Sequence, residues 1–154
     1  MQDFYIYGKH PTFILLENQK RKIKKIYTSN FEELIDFIEK NKININKNII
    51  EKKSNQEITK ILKEDVNHQG FLAIVSERKN LAIDDFIKNN CINKNNLPKL
   101  IILDQLTDPH NIGAIIRTAM AFGVNYIITT KFNSAKDSAI ITKTSAGLSE
   151  MINI

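Results

Sequence analysis

The stretch DQLTDPHNIGAIIRTAMAFGV, residues 104–124, decides the fold class. Asp108-Pro109 is a helix start. An acidic N-cap precedes a proline at the first helical position, where the missing N–H forfeits no intrahelical bond. Ile112, Ile115, Ile116, Ala119 and Phe122 follow on one helical stripe, and Gly123 ends the helix. Before it, KLIILDQ (99–105) reads as a buried strand; after it, VNYIITT (124–130) reads as the next. Strand, helix and strand form a βαβ unit, which requires a parallel pair and a right-handed crossover. The class is therefore α/β.

The start of this helix carries the polar chemistry. A loop after a parallel strand lies at the carboxyl edge of the sheet, where open α/β folds bind ligands. A helix N-terminus there presents unpaired N–H groups and a positive dipole end to an anion. Asn111 offers a donor and an acceptor in the first turn, and Gly113, without a Cβ, lets backbone or ligand approach closely. Arg117 lies four residues after Gly113 on the same side, off the isoleucine stripe. Spacing alone leaves two uses open for it, a surface ion pair or a ligand contact.

Working outward, KFNSAKD (131–137) reads as a loop, with a helix from about Ser138 that Gly147 interrupts or ends. Upstream, strand and helix patterns alternate. FYIY (4–7) is β-prone, and His10-Pro11 reads as a helix entry with Phe13, Ile14 and Leu16 as its apolar surface. IKKIYTS (23–29) reads as a strand; Asn30 then caps a helix carrying Phe31, Leu34, Ile35 and Ile38 at helical spacing, with Glu33 three residues on. NIIEK (48–52) is a strand. Ser54-Asn55-Gln56-Glu57 is a capping-box pattern for a helix with Ile58, Ile61 and Leu62, and Gly70 precedes the buried strand FLAIV (71–75). Residues 79–98 change character: a short helix on Leu81, Ile83, Phe86 and Ile87 gives way to asparagine-rich KNNCINKNNLP. The expected organisation is a domain over 1–78, a linker over 79–98 and a second domain over 99–154.

With 154 residues, 42% hydrophobic and 25% charged, the chain is long enough for one domain or two small ones. No apolar run approaches the roughly 20 residues that span a bilayer, and MQDFYIYGKH lacks the pattern of a secretory signal. One cysteine, Cys91, excludes an internal disulfide framework, and no activating partner surrounds it. The expected location is the cytoplasm, with no membrane association. The net charge of +5 suits a polyanionic partner. Isoleucine, lysine and asparagine dominate the composition, and only Arg21, Arg78 and Arg117 are arginines. A coding bias toward A and T explains the excess lysine equally well, so charge alone leaves the partner open.

Lys20, Arg21, Lys22, Lys24 and Lys25 form a basic cluster that either contacts RNA phosphate or is a solvated strand entry. His68 and Gln69, ahead of Gly70, either touch RNA or build a turn. His10, His68 and His110 share no ligand spacing, which argues against a metal site. There is neither a Walker A loop nor a G-x-G-x-x-G fingerprint.

The run D-Q-L-T-D-P-H-N-I-G-A-I-I-R-T-A (104–119) resembles the first signature motif of the SpoU/TrmH family of S-adenosylmethionine-dependent RNA 2′-O-ribose methyltransferases. Y-G-K-H-P (7–11) and N-H-Q-G-F (67–71) resemble that family's N-terminal substrate-binding domain, which is similar to ribosomal protein L30e, an RNA-binding α/β/α sandwich. K-T-S-A-G-L-S-E (143–150) resembles the small-residue segment of the catalytic domain. The likeness extends to the branch that methylates a guanosine ribose in 23S ribosomal RNA.

The resemblance implies an L30e-like substrate-binding domain followed by the first part of an α/β-knot (SPOUT) methyltransferase domain. It implies S-adenosyl-L-methionine as cofactor, ribosomal RNA as partner and a homodimer. It puts Asn111 and Arg117 in the active site and Glu150 at a family carboxylate position near the active-site and dimer region. A ribose hydroxyl is a poor nucleophile until it loses its proton. The family arginine serves either as the base or as a cation stabilising the developing alkoxide. Family members continue past the equivalent of Ile154 with a glycine- and glutamate-rich motif and a serine-leucine-asparagine motif, which build the knot, the cofactor cradle and most of the dimer interface. This chain as written is therefore expected to leave LIIL and YIIT without neighbours, not to hold the cofactor in the family manner, and to be inactive alone. A broken gene product, half of a split enzyme and a free-standing RNA-binding module remain as explanations.

Overall fold

The computed structural model describes residues 3–80, 82–90 and 98–154. Chain contacts divide it into two units, Met1–Glu77 and Arg78–Ile154.

The first unit is a four-stranded mixed sheet with helices on both faces. Its strands are β1 (Phe4–Tyr7), β2 (Ile23–Thr28), β3 (Ile50–Lys52) and β4 (Phe71–Val75), in the order β1-β4-β2-β3. β4 runs antiparallel to β1 and β2, and β2 is parallel to β3. Because side chains alternate along a strand, Ile6, Ile26, Phe71, Ala73 and Val75 share one face. They form a core with Leu15 and Leu16 of α1 (Lys9–Asn18) and Leu34 and Ile38 of α2 (Phe31–Lys40). Leu72 points to the other face and is fully buried, as is Ile58 of α3 (Asn55–Leu62), which packs on β2.

Local signals account for the helix boundaries with two corrections. The Ser54–Glu57 capping box forms in both directions: the Glu57 amide donates to Ser54 Oγ at 3.3 Å, and the Ser54 amide donates to Glu57 Oε2 at 2.8 Å. α1, however, begins at Lys9, so Pro11 is its third residue. Proline is tolerated there because the first four N–H groups have no intrahelical partner. Asn30 occupies the N-cap of α2 without capping it; its Oδ1 faces the Ser29 hydroxyl and its amide donates to Thr28 Oγ1 at 3.0 Å.

The second unit contains α4 (Ile83–Asn90), β5 (Leu100–Leu103), α5 (Pro109–Ala121), β6 (Tyr126–Thr129) and α6 (Ala139–Thr144), then a 3-10 turn over Leu148–Glu150. β5 and β6 are parallel, with Leu103 opposite Thr129, and α5 is the crossover between them. Leu103, Ile112, Ile116, Ala119, Val124, Ile127, Ile141 and Ile152 are its core. Phe86 of α4 stands edge-on to Tyr126 with ring centroids 4.8 Å apart.

The expectation that YIIT has no second neighbour is corrected. Tyr126 forms a parallel bridge to Asn153; the Ile127 amide donates to Asn153 O at 2.8 Å and the Asn153 amide to Asn125 O at 3.1 Å. On β5, Ile102 is 67% exposed. The expectations for Leu81, for most of the asparagine-rich run and for Cys91 lie outside the described residues. Among the described residues no helix is long and apolar enough to cross a membrane.

Candidate functional site

α5 starts as the sequence dictates. Asp108 Oδ1 accepts from the His110 amide at 2.9 Å, and Pro109 is the first helical residue. Ile112, Ile116 and Ala119 face the core, while Asn111 and Arg117 are exposed. At 100° per residue the two lie about 120° apart around the helix and about 9 Å apart along it. They flank the solvent side and do not share a face.

Gly113 explains what lies beside Arg117. A Cβ there would meet Thr144 Cβ at 2.7 Å, Ile141 O at 3.0 Å and the Ser145 amide nitrogen at 3.1 Å. The close approach that glycine permits is therefore taken by α6. His110, one turn before Gly113 on the same side, places Nδ1 3.4 Å from Thr144 Oγ1. His110 and Gly113 form the α5 surface next to α6.

The segment after α6 is a polar knot of its own. Ser138 caps α6, accepting from the Ile141 amide at 3.4 Å. Gly147 takes φ +90°, a turn conformation open to glycine, and leads into Leu148–Glu150. Thr142, Ser145 and Ser149 are fully buried and bond one another. Ser149 Oγ donates to Thr142 Oγ1 at 3.2 Å, Ser145 Oγ donates to Thr142 O at 3.1 Å, and the Ser149 amide donates to Ser145 Oγ at 3.1 Å. Half-burial holds the Lys143 ammonium below its ordinary value by desolvation.

Arg78 closes this knot. Its guanidinium donates to Glu150 Oε1 at 2.8 Å, Ser149 O at 2.5 Å and Asp137 Oδ2 at 3.3 Å. Glu150, placed from the sequence with the catalytic residues, is only 3% exposed and is spent on this ion pair. That pair anchors the turn. Arg78 carries no local motif, and its partners lie far along the chain, so sequence spacing gives no sign of it.

At the carboxyl edge of the strands the two following loops are joined. The Gln105 amide donates to Thr130 Oγ1 at 3.4 Å, and the Ala135 amide donates to Leu106 O at 3.0 Å. The loop before α5 is thus braced by the loop after β6.

A methyl-donor cradle needs free buried donors or an open glycine-lined cleft. The buried hydroxyls here bond one another, α6 fills the flank of Gly113, and Arg78 takes Glu150. The described residues of this unit do not by themselves fit a bound nucleoside cofactor. Among the described residues no group of three or more histidine, cysteine, aspartate or glutamate side chains gathers at metal-binding distance.

The RNA-contact candidates of the first unit separate into two sets. Lys20, Lys22 and Gln69 are exposed, and Lys24 and Lys25 are partly so. Lys24 pairs with Asp3 at 2.6 Å and Lys25 with Glu51 at 2.8 Å. Hydrogen bonds from Lys25 and Lys53 hold the Glu51 carboxyl down to about 2. Arg21 corrects the cluster: it is 4% exposed, with its guanidinium 4.4 Å from the centre of the Phe4 ring. His68 is likewise buried, accepting from the Gly70 amide at 3.1 Å and bonding Thr59 Oγ1, so it builds the turn. Gln69 Oε1 accepts from the Lys9 amide at 3.2 Å.

Comparison with known proteins adds sequence and structural relatives. Residues 98–154 match the SpoU rRNA Methylase family, and residues 5–81 match the RNA 2′-O ribose methyltransferase substrate-binding family. A 23S rRNA (guanosine-2′-O-)-methyltransferase RlmB from Pasteurella multocida is 31% identical over 156 aligned residues, covering 96% of this chain and 59% of that protein. The corresponding protein of Shewanella oneidensis is 43% identical over 89 residues, covering 58% of this chain and 35% of that one. The chain thus spans at most about three-fifths of these relatives. Among solved structures, the AdoMet-bound rRNA methyltransferase of Sinorhizobium meliloti superposes with a TM-score of 0.68 at 21% identity, covering 99% of this chain and 53% of that one. The AdoMet complex of the SpoU methyltransferase AviRb from Streptomyces viridochromogenes gives 0.68 at 18% identity, covering 98% and 54%.

Proposed function

Because the chain belongs to the SpoU family of RNA 2′-O ribose methyltransferases, we propose that it serves methylation of a ribose 2′-hydroxyl in 23S ribosomal RNA, in the cytoplasm. In this proposal residues 1–78 are the RNA-binding domain, 79–98 the linker, and 99–154 the ribose side of the catalytic centre. The single observation that carries this is the exposed side of α5: Asp108 caps the helix, Asn111 stands exposed in its first turn, and Arg117, six residues further on, is exposed without an ion-pair partner among the described residues.

Arg117 acts as a cation in this proposal. It holds a backbone phosphate and stabilises negative charge on the ribose oxygen as the hydroxyl proton passes to solvent water. Asn111 orients the ribose from the other flank of the helix. S-adenosylmethionine supplies the methyl group.

The test is reconstitution. The chain is mixed with the part of the Pasteurella protein that it does not match, 23S rRNA and labelled S-adenosylmethionine, and ribose-methylated nucleosides are measured after digestion. Ribose-methylated guanosine formed in reactions that contain the chain and absent without it supports the proposal; its absence from every reaction overturns it. A second reading, an RNA-binding module without catalysis, is favoured by the self-contained core of the first unit. It predicts rRNA binding with no transfer under any combination.

A further inference from the structure

Phe132 is 74% exposed, on the loop that follows β6. An isolated exposed phenylalanine means little, but three observations set this one apart. Its loop is braced: Thr130 Oγ1 donates to Phe132 O at 2.9 Å, Thr130 and Ser134 hydroxyls bond at 2.5 Å, and the Ala135 amide donates to Leu106 O. The ring is accompanied by cations: Lys131 Nζ lies 5.7 Å from its centroid, and exposed Lys136 follows on the same loop. Neither lysine has a carboxylate partner among the described residues, because Asp137 is taken by Arg78. Finally, the loop stands at the carboxyl edge of β5 and β6, hydrogen-bonded to the segment that enters α5 and Asn111.

A fixed aromatic face with unpaired cations beside it is complementary to a nucleotide, whose base stacks and whose phosphate is anionic. We infer that Phe132 is the stacking platform for an unpaired RNA base next to the ribose site, with Lys131 and Lys136 on the flanking phosphates. This rests on the RNA-methylating proposal above and adds to it the residues that seat the substrate strand. The platform favours unpaired RNA, since a base inside a duplex already has its faces stacked.

The molecule contains its own control. Phe122 is 72% exposed at the C-cap of α5, eleven residues or about 16 Å of helix away from Asn111. The chain has no tryptophan, so Phe132→Trp and Phe122→Trp each introduce a single fluorophore. The experiment titrates both variants of the full chain with a short oligouridylate, single-stranded or annealed to oligoadenylate. Affinities of the unmodified chain, Phe132→Ala and Phe122→Ala for the same labelled oligomer are measured alongside.

The expected result is quenching at position 132 by single-stranded RNA, none at 122, and about tenfold weaker binding for Phe132→Ala only, within the range for one lost base stack. If the unmodified chain binds RNA while Phe132→Ala binds equally well, the inference falls and the RNA-binding proposal stands. If the unmodified chain binds no RNA, both fall. Equal Phe132-dependent binding of the duplex also overturns the inference. So does emission at 132 that follows chain concentration instead of RNA, which would mark an interface between copies.

Discussion

The guanidinium of Arg78 donates to the Glu150 carboxylate at 2.8 Å and to the Ser149 carbonyl at 2.5 Å. One side chain at the start of the second unit thereby holds two consecutive residues of the turn that follows α6. Both side chains are largely buried, so removing either one breaks a desolvated ion pair, with Asp137 still beside Arg78 when Glu150 is replaced. Arg78→Ala or Glu150→Ala is expected to cost about 3–5 kcal/mol, and the paired replacement Arg78→Met with Glu150→Leu much less than the sum. Urea unfolding, read by amide hydrogen exchange of β5 and β6, checks this; additive losses would show that the two side chains act separately.

Gly113 is where α5 meets α6, and Gly113→Ala places a methyl group 2.7 Å from Thr144 Cβ. Backbone at Ile141 and Ser145 closes the other sides, so the helices must part. The expected cost is about 1–3 kcal/mol, as for overpacked cores, with faster exchange in the Ser145–Glu150 turn. A neutral or stabilising result would mean the interface yields more easily than its geometry indicates.

Glu51 gives a pH signature. Its carboxyl is held to about 2 by hydrogen bonds from Lys25 and Lys53, against an ordinary 4.5. A depressed acid stabilises the fold above the unfolded value, and that contribution is lost as pH falls from about 4.5 toward 2. The thermal midpoint of the first unit should fall through this window, less steeply in Glu51→Gln. Carboxyl titration by NMR tests it directly; an ordinary midpoint for Glu51 would remove the effect.

Within the basic cluster, Lys20 and Lys22 are exposed while Arg21 is buried. Lys20→Gln with Lys22→Gln should flatten the salt dependence of rRNA binding by up to about 2 in log–log slope, since each neutralised phosphate contributes about 0.9 on duplex nucleic acid and less on single strands. Arg21→Gln should instead lower the stability of the first unit, because it removes a buried guanidinium from the Phe4 ring. Equal slopes for all three substitutions would contradict this division.

What the sequence made legible is what neighbours in the chain decide. The Asp108-Pro109 start, the Ser54–Glu57 box and the apolar runs of β4, β5 and β6 each follow from contacts within a few residues. Pairing across the chain was not legible in the same way. That β4 lies between β1 and β2, that Asn153 closes onto β6, that Phe4 captures Arg21 and that Arg78 reaches Glu150 all depend on where distant segments meet. Asn30 shows the limit even at short range: its capping bond lost to the hydroxyls of Thr28 and Ser29. In the candidate site, the motif points to Asn111 and Arg117, which the fold leaves exposed, while the burial of Glu150 required the fold.

The central claim is that Arg117 acts by charge on a ribose beside α5. Single-turnover methyl transfer to 23S rRNA in the reconstituted mixture tests it, comparing the unmodified chain with Arg117→Ala and Arg117→Lys. The account predicts a loss of about 100-fold or more for alanine, the size of an oxyanion-stabilising contact, and partial recovery with lysine. Full activity in Arg117→Ala would contradict it.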